Sequence, residues 1–538
     1  MDKNSDFESQ FDNLDIESDY ESIDSEYYDN LFEHFMSDTN SWFGDQTIDE
    51  EVDEVDDYYI DDHISYGMKL TDLNEYCFMH LFTYLSFNSL MKLRSVSKQL
   101  KNSVEEYLKS KRRLRLINSF ANQNINIETS KNRVLDLIVI ANDCYSDQIL
   151  LLMTELCPNL EALELIYITI DDPIVEILTK HFYDVNDLSF AHPLGLTEDS
   201  LQTIVHYFGP QLLGLTIADS DLSEDCLEAV VAECPNLQLL DVSGNPDITG
   251  DCFRYLNNNL LTLRLSQCDS IRESGLQSLV KSESARSLSE LVISGLVCDY
   301  MIGLICKNMP QLRSFQCVYG CTREMDSKID HLSVIGQLTK LERLSLQEID
   351  AYFGSLDDKS LLKIISCCNR LKYLELHVGS GERLLITDRY LSLISDYCPQ
   401  IECLKLYNFE AVTDKSLNSF SKLVNLKELE LINLYNISDE GVAIITERCS
   451  QLTKLYISFD GNCDSITNLT LIACIDMCRR RPKQIIDVNF FETCITVPFN
   501  QIIPQNMRLR VSWYRPTPEG RRYTEIKLPD DKPILSTQ

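Results

Sequence analysis

Cys398-Pro-Gln-Ile-Glu-Cys-Leu-Lys-Leu-Tyr-Asn-Phe-Glu-Ala-Val-Thr-Asp-Lys-Ser-Leu417 carries the pattern on which the fold turns. Ile401, Leu404 and Leu406 form an apolar-x-x-apolar-x-apolar core. Its alternating portion describes a short strand with one buried face and one free face. Thr413-Asp-Lys-Ser-Leu417 then opens a helix. A threonine hydroxyl there accepts an orphan backbone N–H, and the aspartate just inside suits the positive helix end. The core has fourteen copies, beginning at Val134, Leu160, Val185, Leu212, Leu237, Leu260, Leu288, Leu312, Leu341, Leu371, Ile401, Leu426, Leu452 and Ile485, with a mean spacing of 27 residues. Equivalent helix starts stand at Thr197, Ser223, Thr249, Thr387 and Ser438. One strand plus one helix cannot cover its own apolar faces, whereas stacked copies can. The expected fold is therefore an α/β solenoid, with parallel strands on the concave side and helices on the convex side.

The chain's 20 cysteines fit this periodicity. Cys157, Cys234, Cys368, Cys398 and Cys449 each precede the first apolar residue of a unit by three positions. A constant phase in stacked units predicts a column of small buried side chains. Zinc would call for Cys-x-x-Cys pairs, and the sequence has none. The phased cysteines and Thr-Asp-x-x-Leu helix starts resemble the cysteine-containing class of leucine-rich repeats, which places the solenoid at residues 134–511. The longer spacings over 312–401 are expected to lengthen loops. Many cysteines with no secretion signal lead us to expect reduced thiols in a cytoplasmic or nuclear setting. The sequons at Asn436 and Asn468 then carry no meaning.

Residues 70–108 follow a different rule. Apolar residues at 73, 77, 78, 81, 82 and 85, and again at 90, 93, 96 and 100, keep helical spacing, with Ser86-Phe-Asn-Ser as the turn between them. So short a module cannot bury a sufficient core alone. The segment resembles an F-box, through Leu73, Cys77, Phe78, Leu81, Phe82, Tyr84 and Leu85, then Leu90, Leu93, Val96, Ser97, Lys98 and Leu100. Asn74 stands where the family has proline, and Tyr76 where it has glutamate. The module is expected over 67–112, with 113–133 a linker or N-terminal cap of the solenoid. The resemblance implies a non-catalytic substrate receptor of an SCF-type cullin–RING ubiquitin ligase. Its F-box would meet the shared adaptor through Leu73, Cys77, Phe78, Leu81, Phe82, Leu85, Leu90, Leu93, Val96 and Leu100, and its repeats would hold the protein to be ubiquitinated. A repeat scaffold or occluding inhibitor without ligase association is the alternative.

Charge narrows the partners. The chain carries −36, and residues 1–62 hold 15 Asp and 8 Glu against one Lys. Such a segment repels itself, so residues 1–66 are expected to be a disordered acidic tail that solvates the chain or docks on a basic partner or patch. Net charge of this sign disfavours nucleic acid. No apolar run is long enough to suggest a membrane span. Residues 512–538, with four prolines, fall outside the repeat.

No nucleophile–base or metal spacing suggests catalysis, and no cofactor is expected. His377-Val-Gly379-Ser-Gly381-Glu-Arg-Leu384 lacks the third glycine of a dinucleotide loop and reads as a flexible loop. Strand alternation sends Tyr373, Glu375, His377, Lys405, Tyr407, Glu428, Glu430, Lys454 and Tyr456 onto the concave face. Tyrosines amid mixed charge resemble an interface, and these nine residues are the expected substrate-binding set.

Overall fold

The computed structural model describes residues 74–118, 136–297, 299–319, 332–348, 356–378, 386–495, 503–517 and 520–528. The acidic segment, Leu73, the glycine-bearing loop after Val378 and the extra residues of the longer units lie outside these ranges. Among the described residues two compact units emerge, one of residues 74–110 with 141–158 and the other of 111–118 and 136–140 with those from 159 onward.

The first unit is helical. Helices α1 (Glu75–Phe82), α2 (Phe87–Val96) and α3 (Lys98–Lys109) follow one another, and the later α4 (Ser146–Leu156) packs on α3. Each of the first three starts on a polar cap. The Asn74 Oδ1 accepts from Cys77 N at 2.9 Å, the Ser86 Oγ from Ser89 N at 3.2 Å and the Ser97 Oγ from Leu100 N at 3.2 Å. Asn74 thus supplies the helix start that proline supplies in the F-box pattern. Phe78 and Phe82 stack with ring centroids 5.6 Å apart, and Tyr107 meets Phe82 edge-on at 5.4 Å. Leu90, Met91, Leu100, Val104 and Leu108 close the core around them.

The second unit is the expected solenoid. A strand begins two residues after each of the first thirteen apolar starts and one residue after Ile485. From Ala162–Ile166 to Met507–Thr517 the strands pair in parallel with the next in sequence. The register aligns Leu163, Leu188, Leu215, Leu240, Leu263, Leu291, Phe315, Leu344, Leu374, Leu404, Leu429, Leu455, Val488 and Leu509 into one buried row. Such a row removes each strand's apolar face from water, at about 25 cal/mol for each Å² covered.

The sheet is longer than the repeat count implied, with 17 strands among the described residues. Arg113–Asn118, expected as linker or cap, is a strand paired in parallel with Ala162–Ile166. Beyond residue 511, expected as a tail outside the repeat, strand Met507–Thr517 continues and pairs antiparallel with Gly520–Leu528.

Two helix starts also differ from expectation. The unit opened by Thr249 holds only a 3-10 turn, Asp251–Tyr255. Only 23 residues separate Leu237 from Leu260, which leaves little room for a helix. The helix expected after Thr387 breaks into Asp388–Leu391 and Ile394–Tyr397.

The phased cysteines occupy the core as expected. Cys157, Cys234, Cys368, Cys398 and Cys449 are buried free thiols. The Cys398 Sγ donates to Ile365 O at 3.5 Å, and the Cys368 Sγ to Leu338 O at 3.5 Å. Burial pushes both thiols up to about 12, so they stay protonated. Arg481 meets the same need at the last unit: its guanidinium donates to Cys449 O at 2.8 Å and Leu452 O at 3.2 Å.

The Thr-Asp motif reaches further than its own helix. Asp388 accepts from Thr413 N at 2.9 Å and Thr413 Oγ1 at 2.6 Å, and Asp414 accepts from Ser438 N at 2.8 Å and Ser438 Oγ at 2.6 Å. Asp439 accepts from Thr467 N at 2.8 Å, Thr467 Oγ1 at 2.6 Å and Thr470 Oγ1 at 2.5 Å. Each aspartate therefore staples the next unit's helix cap to its own. Burial raises Asp439, but the threonine hydrogen bonds outweigh it and hold the carboxyl below its ordinary value. Asp439→Ala is expected to cost about 1–3 kcal/mol. Hydrogen exchange should localise the loss to 467–495, and a loss spread evenly over the solenoid would count against a local staple.

Candidate functional site

Two surfaces come into question. On the helical unit, the structure divides the expected adaptor-binding residues by burial. Phe78, Phe82, Leu90 and Leu100 are buried, so they build the module's core and offer no contact surface, a correction to the sequence reading. Helical spacing alone does not separate a core face from a binding face, since both are apolar. Leu81, Leu85 and Val96 stand exposed, Val96 by 68%, while Cys77 and Leu93 are half-buried. The sequence reading missed Tyr76 and Tyr84 as surface residues, exposed by 84% and 65%. The His80 ring meets that of Tyr84 edge-on at 5.4 Å, and the spacing 76, 80, 84 was the available signal.

On the solenoid, the expected substrate-binding residues are gathered into one network. Glu375, Lys405, Glu430 and Tyr456 sit in register on successive strands, as do Tyr373, Cys403, Glu428 and Lys454. The Tyr373 hydroxyl donates to the Glu375 Oε2 at 2.5 Å, and the His377 Nε2 lies 2.9 Å from the Glu375 Oε1. The imidazole stacks on the Tyr407 ring at 3.5 Å, and the Tyr407 hydroxyl donates to the Glu430 Oε2 at 2.9 Å. The Lys405 Nζ lies 3.2 Å from Glu430 and 3.4 Å from Glu428. The Lys454 Nζ lies 2.8 Å from Glu430 and 2.5 Å from Glu428. The Arg343 guanidinium covers the Tyr373 ring at 4.0 Å, and Tyr456 stacks on Phe491 at 5.2 Å.

The pKa shifts follow from this pairing. Burial raises Glu430, but the Lys454 hydrogen bond and the Lys405 charge outweigh it and bring it down to about 2. Burial also raises Tyr373 and Tyr407, and the neighbouring carboxylates raise them further. The face thus presents a preorganised set of aromatic rings with mutually neutralised charges. Phe491 belongs to it and was missed, because its unit was among the weaker repeats.

The F-box domain family matches residues 70–109. A stretch of 138 residues is 28% identical to the BTB/POZ domain-containing protein FBL11 of Arabidopsis thaliana, over 25% of this chain and 14% of that protein. The chain therefore spans only a small part of that relative's length. Among solved structures, the chain is similar to the Rad7 and Elc1 complex in yeast, with TM-score 0.45, 14% identity and coverage of 79% of this chain and 98% of that one. It is also similar to an internalin from Listeria monocytogenes, with TM-score 0.37, 16% identity and coverage of 62% and 82%.

The molecule is a leucine-rich-repeat solenoid preceded by a helical module. Residues 70–109 of that module match the F-box domain family.

Proposed function

We propose that this protein is the substrate-recognition subunit of an SCF-type cullin–RING ubiquitin ligase, acting in the cytoplasm or nucleus. The observation that carries the reading is the F-box match together with exposed Leu81, Leu85 and Val96 on a module whose core is already filled. Those side chains are available to bury against the shared adaptor, while Phe78 and Phe82 hold the helices that present them. The concave face, with Tyr373, His377, Tyr407 and Tyr456, would hold the protein substrate. Such a receptor performs no bond chemistry. It raises the local concentration of a substrate lysine beside a ubiquitin-loaded conjugating enzyme.

The test is co-purification of the full chain with the adaptor. Leu81→Asp combined with Leu85→Asp is expected to reduce adaptor recovery at least tenfold, with the far-ultraviolet spectrum and melting temperature unchanged. Undiminished recovery would remove this reading. Absence of adaptor from the native chain, with tight one-to-one capture of a target, would point to the occluding scaffold instead.

A further inference from the structure

On strands Tyr373–His377, Cys403–Tyr407, Glu428–Ile432 and Lys454–Cys463, the concave side chains form three rows, at the first, third and fifth positions. The first two rows hold the carboxylates and lysines, and each of these groups is already engaged. Lys405 and Lys454 both reach Glu428 and Glu430, at 2.5–3.4 Å. Glu375 accepts from the Ser345 hydroxyl at 3.1 Å and from Tyr373, with His377 2.9 Å away. These five side chains are between 10% and 39% exposed, so the pairs are largely out of water. A charged group of a partner gains little there. It must break an existing pair and shed its own hydration, an exchange that roughly breaks even.

The row at the fifth position is different. It runs His377, Tyr407, Ile432, Ser458 and, on the next strand, Phe491. It carries no carboxylate, lysine or arginine, and all five residues are half-buried. Stacking holds its rings in place, His377 on Tyr407 and Phe491 on Tyr456. On two earlier strands the same position holds Ala191 and Ala218, which offer no anchor of that size. Rings fixed before binding bury apolar area at little cost in ordering. We infer that this row takes an uncharged, unphosphorylated peptide segment, with one apolar or aromatic side chain against Tyr407 and another against Phe491. The two residues stand three strand steps apart, about 14 Å, which an extended chain covers in about four residues. Side chains at i and i+4 of an extended segment point the same way, so both anchors face the row. The inference rests on the receptor reading and deepens it, because it names the chemistry of the substrate segment.

The experiment screens the full chain against a random array of peptides of about nine residues, long enough to span both anchors. A second array carries phosphoserine or phosphothreonine at varied positions. Bound peptides should be enriched in Phe, Trp, Leu or Ile at two positions four apart, with no enrichment of acidic, basic or phosphorylated residues. In fluorescence anisotropy, the strongest of them should hold its affinity within about twofold as salt is raised. Phe491→Ala should weaken that peptide at least tenfold by removing an anchor. Ser458→Glu should do the same by placing a carboxylate between the anchors, with the melting temperature unchanged. Enrichment of acidic, basic or phosphorylated peptides, or of none, would overturn the proposal. A steep loss of affinity with salt would overturn it as well, as would native-like binding by Ser458→Glu. Adaptor recovery from the same preparations separates the two readings. Apolar-peptide binding without adaptor removes the ligase assignment alone, whereas adaptor with charged peptides or none removes this docking row alone.

Discussion

Replacing Glu430 with alanine is expected to cost the solenoid about 3 kcal/mol, because it removes the anion that lies between two lysines in a largely desolvated network. Lys405 and Lys454 would then share Glu428, and the Tyr407 hydroxyl would lose its acceptor. Glu430→Gln keeps the shape and an acceptor for Tyr407, so it should lose less. Urea denaturation of the two variants checks this, and a loss under about 1 kcal/mol for the alanine would mark the network as an ordinary solvated surface.

The pH dependence of the same residue has a definite sign. Glu430 titrates at about 2 in the folded chain, against an ordinary value of 4.5. The carboxylate's contribution is therefore fully present above the ordinary carboxylate range and is lost as pH falls toward 2. Native protein should lose stability over that interval more steeply than Glu430→Gln. Parallel acid-unfolding curves would contradict the pairing.

Phe82→Ala is expected to cost about 3–5 kcal/mol, since the ring is fully buried between Phe78 and Tyr107. In a module of so few residues that loss should unfold the helices. Limited proteolysis should then cut between residues 74 and 110 in Phe82→Ala, while Leu81→Asp stays as resistant as native. Adaptor recovery would fall in both variants for different reasons, lost structure in one and a lost contact in the other. Native-like resistance of Phe82→Ala would overturn its place in the core.

The resistant and the sensitive positions sit side by side in the chain, which shows where sequence reading stops. Leu81 and Phe82 both satisfy helical spacing and both match the family pattern, yet one is solvent-exposed and the other fully buried. Which face an apolar residue joins depends on neighbours such as Tyr107, distant in sequence. Asp439 is similar: its own helix start was legible, but its bond to Thr467 of the next unit was not.

The strand Arg113–Asn118 escaped notice because Arg-Leu-Arg-Leu-Ile-Asn has no apolar-x-x-apolar lead-in and no helix-start signal behind it. The 3-10 turn after Thr249 shows the converse, a correct start signal overruled by a short unit. At the concave face, alternation identified the nine candidate residues, since side-chain direction in a strand is a local property.

By itself, the sequence determined the solenoid, its strand phases, the cysteine column and the existence of the helical module. Periodic burial is written into local spacing, and a stack of like units has little freedom beyond it. Only the tertiary structure decided which apolar residues of the module face outward and how the charges of neighbouring strands pair. Those are relations between residues far apart in the chain, set by register and packing.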